Sequence, residues 1–340
     1  MLTDSLTSTS SPSRVGVRAR IRSAWAKPQV RIAVLIVIVF ALVAVYLFTD
    51  IPGSLLFALK VRSLTVIAML VVATAVGVST VVFHTITQNR ILTPSIMGFD
   101  AFYMLISTII VFFFGSASFL GADEFVLWIV QVVVMVAFSV FLFTWLFGGK
   151  RRSLHLMLLV GIVLGTFFRG FTELMQRMLD PLDFQILSDA MFASLTRPDP
   201  MLLTFTAVLV GLGVIAVIPL MHTLDVLTLG EPVAVGLGVN HKRAVMALFA
   251  IVSIMIAAST ALAGPILFFG LIVANLAYSY AGTFRHSWTL PAAALIGVGC
   301  LLLAQIVLEQ ICGFGGSLSM VIEFAGGLFF LYLVLRKGAR

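Results

Sequence analysis

Long apolar runs separated by short polar segments dominate the chain. Ten of these runs are long enough, or nearly so, to cross a bilayer, since a helical span needs about 20 apolar residues. The predicted spans are residues 31–49, 63–87, 101–119, 125–147, 154–171, 201–221, 244–263, 266–280, 290–310 and 321–335. Gly264 and Pro265 are predicted to break the helix between the seventh and eighth spans. The pattern therefore predicts an all-α polytopic membrane protein with about ten transmembrane helices.

Composition and charge support this class. Of the 340 residues, 61% are hydrophobic and only 10% are charged, whereas about a quarter of the residues of a soluble domain are charged. With ten spans, 16 of the 21 lysines and arginines fall on the same side as both termini. The positive-inside rule places that side in the cytoplasm. The net charge of +7 then follows from topology and does not itself indicate a nucleic-acid partner.

The N-terminal segment differs from the rest of the chain. Residues 1–28 are rich in serine and threonine and then in arginine, which predicts a disordered basic cytoplasmic tail ahead of a membrane domain at 29–340. A cleavable signal peptide is the competing interpretation. The apolar run that follows is long enough to span the membrane, which favours an anchor.

The longest polar and glycine-rich interruption between two apolar runs is residues 223–243. Short apolar stretches alternate there with Gly230, Pro232, Gly236 and Gly238, which predicts two short helices joined by tight turns. A segment this apolar on the cytoplasmic side is typical of a surface on which a partner docks. An ordinary connecting loop is the alternative.

Sequence motifs of catalysis are missing from this chain. It contains no nucleotide-binding GxxxxGK[ST] loop, no HExxH, no CxxC and no GxSxG. Its two cysteines, Cys300 and Cys312, have neither metal-ligand spacing nor, along one helix, the separation for a disulfide. We therefore predict no enzyme activity, no metal site and no cofactor on this chain, and ATP-driven transport would require a separate ATPase.

Polar side chains at membrane depth are the best pointers to function, because each costs about 2.5–3.5 kcal/mol at a helix centre on insertion scales. Arg169 lies late in the fifth span and begins a set with Glu173, Gln176 and Arg177, whose spacings keep them near one helical face. They predict an outer, basic vestibule that attracts an anionic solute. The alternative is that Arg169 and Glu173 simply pair with each other.

Four motifs together resemble those of one transport family. Asn89–Gly98 resembles the element N-P-L-A-x-P-x-L-L-G, and Leu229–Val239 resembles the coupling loop L-G-E-x-A-x-x-L-G-V. Leu262–Val273 resembles L-A-G-P-I-x-F-x-G-L-I-V, and Gly326–Leu333 resembles G-x-P-F-F-x-x-L. On these motifs, about residues 30–338 resemble a permease subunit of the iron-siderophore and cobalamin type of ABC importer.

Several positions depart from the family pattern. Arg90 stands in place of a proline, Ala274 and Asn275 replace Pro-His, and Pro232 replaces a second acidic residue. With residues 191–194, these departures resemble the subset of the family that serves catecholate-type siderophores.

The resemblance implies a type II ABC importer permease fold in the cytoplasmic (inner) membrane of a bacterium. It implies as partners a second permease subunit, with a paralogous heterodimer favoured, two ATP-binding subunits that hold ATP and Mg²⁺, and a periplasmic or lipid-anchored solute-binding protein. The implied substrate is a ferric siderophore, with cobalamin or haem as the alternative. An ion-coupled secondary carrier and a structural membrane subunit are alternatives from other classes.

The resemblance also implies roles for individual residues. Asn89 and Ile91 would form an inner gate, and the fifth span with the helix near residues 187–194 an outer gate. Lys60, Arg62 and Arg197 would dock the solute-binding protein, with solvated surface charge as the alternative. The residues implied in coupling to the ATPase are Leu229, Gly230, Glu231, Ala234, Leu237 and Gly238.

Overall fold

The computed structural model describes residues 27–49, 54–95, 98–147, 154–191, 195, 198–311 and 317–338. In this part of the chain every regular element is a helix. The helices are α1 Pro28–Phe48, α2 Leu55–Thr87, α3 Phe99–Gly121, α4 Glu124–Phe147, α5 Leu154–Gln176, α6 Pro181–Met191, α7 Pro200–Val217, α8 Met221–Leu227, α9 Glu231–Gly236, α10 His241–Ala263, α11 Phe269–Ala281, α12 His286–Gln310 and α13 Leu318–Gly338. A 3₁₀ turn, Ile218–Leu220, joins α7 to α8.

The predicted spans correspond to ten of these helices. Seven helical stretches among the described residues are long and apolar enough to cross a membrane, and Phe269–Ala281 and Leu318–Tyr332 are shorter apolar helices. These seven stretches, the two shorter helices and α5 together account for all ten predicted spans. The predicted N-terminal tail lies outside the described residues, except for its last two positions, and stays a prediction.

Local sequence signals set several helix starts. Asp199 accepts hydrogen bonds from the backbone amides of Met201 and Leu202, and Pro200 occupies the first turn of α7. Asn240 caps α10 by accepting from the amide of Arg243. The first backbone amides of a helix have no acceptor within the helix, and these side chains supply one.

The centre of the bundle is α2, which packs against α10 and α12 and is buried almost continuously over its second half. Small residues bring α2 and α12 close together. A methyl group on Gly77 would lie 3.0 Å from the carbonyl oxygen of Ala293, and one on Gly297 would lie 3.1 Å from Cβ of Ala73. Such close approaches are how membrane helices gain packing energy without a hydrophobic driving force.

Two helices begin inside the bundle. Gly98, just before α3, lies against Gly165, which is midway along α5, so α3 starts near the middle of the membrane domain. The 13 residues of α11 reach only about 20 Å, which is short of the roughly 30 Å hydrocarbon core. The break that precedes α11 contains Gly264, at φ +82°, and Pro265, as the sequence predicted.

The described part of the connection between the fifth and sixth spans contains one further helix, α6. It packs on α3 where Leu187 meets Val111, and the hydroxyl of Ser116 donates to the carboxylate of Asp183. Beside this contact, Gly115 interrupts α3 with a φ of +77°. The helix predicted near residues 187–194 is thus present up to Met191, and residues 192–194 lie outside the described part.

Gly98→Ala is expected to destabilise the fold. Gly98 has a φ of +101°, and an added Cβ would lie 2.8 Å from the Cα of Gly165, so backbone strain and a clash coincide. We expect a loss of at least about 1–2 kcal/mol, measured as a lower melting temperature in detergent. Gly211→Ala is the control, because nothing lies within 4 Å of its added methyl. Equal melting temperatures for the two variants would contradict the assignment.

Candidate functional site

The first part of the candidate site is the segment formed by α8 and α9. One side of it packs on the bundle through Leu224, Leu227 and Ala234, which are all buried. The other side is exposed and largely apolar, and we call it the docking ridge. The docking ridge consists of Leu229, Glu231, Pro232, Val233, Val235 and Leu237. Exposed apolar surface on this scale is typical of an interaction site.

The glycines of this segment shape the docking ridge. Gly230 has a φ of +92° and Gly238 a φ of +85°, a region that L side chains rarely adopt. Gly230 precedes α9, and the amide of Gly238 donates to the carbonyl of Val235 at 3.0 Å. Ala234, which the resemblance placed among the coupling residues, has a fully buried side chain. It therefore supports the ridge from below and is not part of the exposed face.

A hydrogen-bonded chain ties α8 to two membrane helices. Asp225 Oδ1 of α8 accepts from the backbone amide of His286 at 2.8 Å and lies 2.7 Å from His286 Nδ1. His286 Nε2 in turn lies 2.8 Å from Thr85 Oγ1, near the end of α2. His286 is the first residue of α12, so the chain Asp225–His286–Thr85, which we call the relay, joins α8, α12 and α2.

Gln88 adds a second tie at the same place. Its side-chain Nε2 donates to the carbonyl of Thr85 and to the carbonyl of Leu227, both at 2.8 Å. Gln88 is the only non-glycine residue with a positive φ, 52°, within the described part of the chain. The end of α2 is therefore fixed to the end of α8 by a side chain held in an uncommon backbone conformation.

The predicted inner-gate residues lie directly after this tie. Asn89 Oδ1 accepts from the amide of Ile91 at 3.0 Å, which forms a tight local turn and leaves the Ile91 side chain exposed. The guanidinium of Arg90 lies 4.7 Å from the ring centre of Tyr278 and 5.7 Å from that of Phe284. A cavity of about 330 Å³ opens beside them. Gating by Asn89 and Ile91 stays a prediction.

The second part of the candidate site is a cavity of about 320 Å³ deeper in the bundle, which we call the central cavity. It lies between the start of α3, the second half of α5, the Gly264–Pro265 break and the start of α13. Its lining residues are Asp100, Ala101, Met104, Arg169, Thr172, Glu173, Gln176, Pro265, Leu267 and Glu323. Both interior helix starts meet at this cavity.

The central cavity differs from the basic vestibule expected from the sequence. Its lining holds three carboxylates, Asp100, Glu173 and Glu323, against one cation, Arg169. Glu173 and Arg169 share the lining, but no ion pair joins them in the described residues. The alternative of a simple Arg169–Glu173 pair is therefore not what the structure shows. Acidic groups from α3 and α13, which are distant in sequence from α5, make the formal charge of the lining negative, whereas a positive charge was expected.

The other two predicted vestibule residues lie next to this cavity. Gln176 lines the central cavity and two adjoining ones, of about 500 Å³ and 250 Å³. Arg177 lines the larger of these, beside α6. The structure thus brings the four predicted residues together in the linings of neighbouring cavities that share Gln176, and their role in the translocation path stays a prediction.

The residues predicted to dock a solute-binding protein have different surroundings. Arg62 is only 14% exposed in its side chain, donates to the carbonyls of Tyr46 and Thr49, and lies 3.6 Å from Glu309. These contacts give Arg62 an internal role between α1, α2 and α12 and argue against docking. Lys60 is exposed, and Arg197 lies outside the described residues, so docking stays a prediction for these two.

Sequence reasoning missed Asp100 and the relay. Asp100 marked only the boundary of a span, although a single carboxylate at the head of an apolar run was a usable signal. Asp225 and His286 are 61 residues apart, and no sequence pattern around either residue indicates that the two side chains are in contact. Only the folded arrangement brings them together.

Comparison with known proteins agrees with this architecture. The pattern of the FecCD transport family matches residues 32–336. The chain belongs to this family. It is thus a membrane-embedded transport subunit, and the family assigned from the four motifs is confirmed.

Two curated relatives are similar over most of their length. The petrobactin import system permease protein YclO of Bacillus subtilis (strain 168) is 38% identical over 309 residues, covering 91% of this chain and 98% of that protein. The petrobactin import system permease protein FatC of Bacillus anthracis is 38% identical over 282 residues, covering 82% of this chain and 79% of that protein.

The fold also matches a solved structure, an inward-facing metal-chelate type ABC transporter. The TM-score is 0.78 at 22% identity, and the match covers 91% of this chain and 99% of that one. The prediction of an ABC importer permease fold with about ten membrane helices is confirmed.

His286→Ala is expected to destabilise the end of the bundle at which α8 packs. It leaves the Thr85 hydroxyl and the Asp225 carboxylate without their shared partner, at a cost of about 1–3 kcal/mol. The measurement is chemical or thermal unfolding in detergent. The matched control is His222→Ala, which removes an exposed histidine on α8 and should change stability by no more than about 0.5 kcal/mol. Equal losses of stability in the two variants would show that the relay does not stabilise the fold.

Proposed function

We propose that this chain is the permease subunit of an ATP-driven importer that carries a ferric siderophore of the catecholate type across the cytoplasmic membrane into the cell. The observation that carries this proposal is the near full-length similarity to two petrobactin import permeases. The docking ridge and the central cavity supply the two features that such a permease requires, a surface for the motor and a space for the solute.

The motor in this proposal is a pair of separate ATP-binding subunits that dock on the ridge. Leu229, Val233 and Leu237 present exposed apolar side chains, and Glu231 stands among them with a side chain that is 65% exposed. A central apolar contact with a charged rim is the usual anatomy of a protein interface. ATP and Mg²⁺ belong to those subunits in this scheme.

Movement of the docked motor would reach the membrane helices through the relay and Gln88. Because α8 is bonded to the ends of α2 and α12 at 2.7–2.8 Å, a displacement of α8 displaces both helices. The segment after α2 leads to Asp100 at the central cavity. A push at the docking ridge therefore has a short covalent and hydrogen-bonded path to the solute space.

The charges of the central cavity support a second permease subunit. Arg169, Glu173 and Glu323 are exposed in the single chain although they lie on membrane helices, where contact with lipid is costly. A partner permease that covers this side removes the cost. Bacillus anthracis has two different petrobactin permeases, FatC and FatD, which match this chain at 38% and 25% identity. This favours a paralogous partner and a heterodimer.

The remaining partner is a periplasmic or lipid-anchored solute-binding protein on the opposite side of the membrane. Orientation follows from the positive-inside distribution of lysine and arginine, with both termini in the cytoplasm. Of the residues predicted to dock it, Lys60 is exposed near the start of α2, at the end of that helix away from α8.

Haem import is the competing substrate assignment. The hemin transport permease HmuU of Yersinia pestis is 27% identical to this chain over 285 residues, which is lower than the two petrobactin permeases. An ion-coupled carrier is the competing mechanism, and it predicts that disruption of the docking ridge leaves transport intact.

The first test is uptake of radioactive iron, offered as several ferric siderophores and as hemin, in cells lacking this chain and in complemented cells. We expect selective loss for a catecholate complex, restored by the unaltered chain. Glu231→Arg should fail to restore it and should abolish co-purification of the ATP-binding subunits, because it reverses the sign of a charge on the docking ridge.

Glu124→Arg is the matched control. Glu124 is an exposed glutamate in the first turn of α4, as Glu231 is in the first turn of α9, but it lies at the opposite end of the bundle. It should restore uptake. Unchanged uptake of every iron complex in deleted cells would overturn the siderophore assignment, and full activity of Glu231→Arg would overturn the docking assignment.

Asp225→Asn tests the path from the ridge to the membrane helices. The variant keeps size and shape but weakens the bond to His286, so the ATP-binding subunits should still bind and hydrolyse ATP. In proteoliposomes, the number of solute molecules moved per ATP should fall about tenfold, which corresponds to ~1.4 kcal/mol of lost coupling. A parallel fall of transport and hydrolysis, with an unchanged ratio, would show that the relay does not transmit movement.

A further inference from the structure

The charges of the central cavity do not match a solute that is purely anionic. The lining of this cavity of about 320 Å³ contains three carboxylates, Asp100, Glu173 and Glu323, and a single arginine, Arg169. Glu323 also lines the adjoining cavity of about 250 Å³ and lies within hydrogen-bond reach of the backbone at Leu267. An excess of acidic groups in a confined space of low polarity attracts positive charge.

Asp100 is the buried member of this set. It is only 4% exposed, and neither of its carboxylate oxygens meets the geometry of a full hydrogen bond among the described residues, although the Ser95 hydroxyl acts on it as a donor. Arg169 and Glu323 act on it electrostatically without a direct bond. Its place in the first turn of α3 provides a favourable helix dipole. A buried carboxylate with so few donors is costly, so a ligand that supplies donors would be favoured at this position.

Thr172 provides a second polar group without a partner in the lining of the central cavity. Its hydroxyl is buried and makes no hydrogen bond in the described part of the chain. Thr172 lies on α5, across the central cavity from the start of α3. Both residues line the same cavity, and the buried oxygen atoms of both side chains are suited to a ligand that donates.

A bare metal ion does not fit this arrangement. Among the described residues, no group of three histidine, cysteine or acidic side chains is close enough to hold one. The carboxylates are instead spread over three helices, α3, α5 and α13. Acceptors spread over a cavity of this size suit an organic cation, such as a protonated amine with several N–H donors.

We propose that the central cavity is a recognition site for a protonated amine on the transported chelate, with Asp100 as its principal acceptor, Glu323 as a second and the Thr172 hydroxyl beside them. This inference rests on the proposed function and narrows it to ferric chelates that carry an ammonium group. Arg169 then balances part of the acidic charge and faces the anionic, iron-binding portion of the same molecule. The site thus recognises both the positive and the negative group of a zwitterionic solute.

The experiment compares two ferric complexes of one bis-catecholate chelator. In one the linker carries a free secondary amine, and in the other the same nitrogen is acetylated and neutral. The readout is the ratio of their initial uptake rates in complemented cells, because a ratio does not depend on the amount of folded protein. We expect the unaltered chain to prefer the amine complex about tenfold, the size expected of a charge-assisted hydrogen bond.

Asp100→Asn should bring that ratio close to one, and Glu323→Gln should lower it in the same direction. Each substitution keeps the side-chain shape and removes the charge. Glu124→Gln is the control, and it should leave the ratio unchanged. Protein levels and stimulated ATP hydrolysis are measured in parallel, so that a variant that fails to fold is recognised and replaced by Asp100→Ser.

Two results would overturn the proposal. One is equal uptake of the amine and acetylated complexes by the unaltered chain, and the other is an unchanged preference in both Asp100→Asn and Glu323→Gln. Either can occur while catecholate import continues, which leaves the proposed function intact. Absence of uptake for both complexes, with another iron source transported instead, would overturn the siderophore assignment itself.

Discussion

Helices that begin inside the membrane domain are the constraint on which the rest of the structure depends. A backbone that ends or starts at membrane depth exposes unpaired polar groups, so it is tolerated only where protein or a water-filled cavity surrounds it. The start of α3 meets this requirement where Gly98 lies against Gly165. The start of α11 meets it after Gly264 and Pro265. The central cavity exists because both starts face it.

The close packing of α2 makes this arrangement possible. Glycine and alanine at the α2–α12 contact hold the two helices together along the middle of the bundle. The end of α2 then emerges at the relay, and the chain turns back from Gln88 toward α3. The same segment therefore has the α8 contact at one end and Asp100 at the other. This segment therefore forms a continuous path from the docking ridge to the cavity. The proposed coupling between these two sites needs such a contiguous path.

The sequence predicted the helices well because membrane spans carry a strong and local signal. The ten spans, the Gly264–Pro265 break and two short helices near residues 223–243 all follow from apolar runs and their interruptions. Their exposed faces were less predictable. Ala234 is buried because α9 packs on the bundle by that side, and an apolar residue in a short helix gives no indication of which partner covers it.

Charges were the least predictable part of the site. Arg169 suggested a basic vestibule because the residues around it in sequence were the only ones available for comparison. Asp100 and Glu323 come from distant helices and reverse the sign. Arg62 shows the same limit, since its partner Glu309 lies on α12. Ion pairs and cavities depend on tertiary contacts, whereas spans depend on neighbours along the chain.

The charge of the cavity also bears on the second permease. A second copy of this chain across the same path would double the acidic groups, and the mutual repulsion of six carboxylates would oppose closure unless cations enter. A paralogue with a different lining would avoid this repulsion. In the proposed importer, the acidic lining therefore favours a partner subunit whose own lining differs from that of this chain.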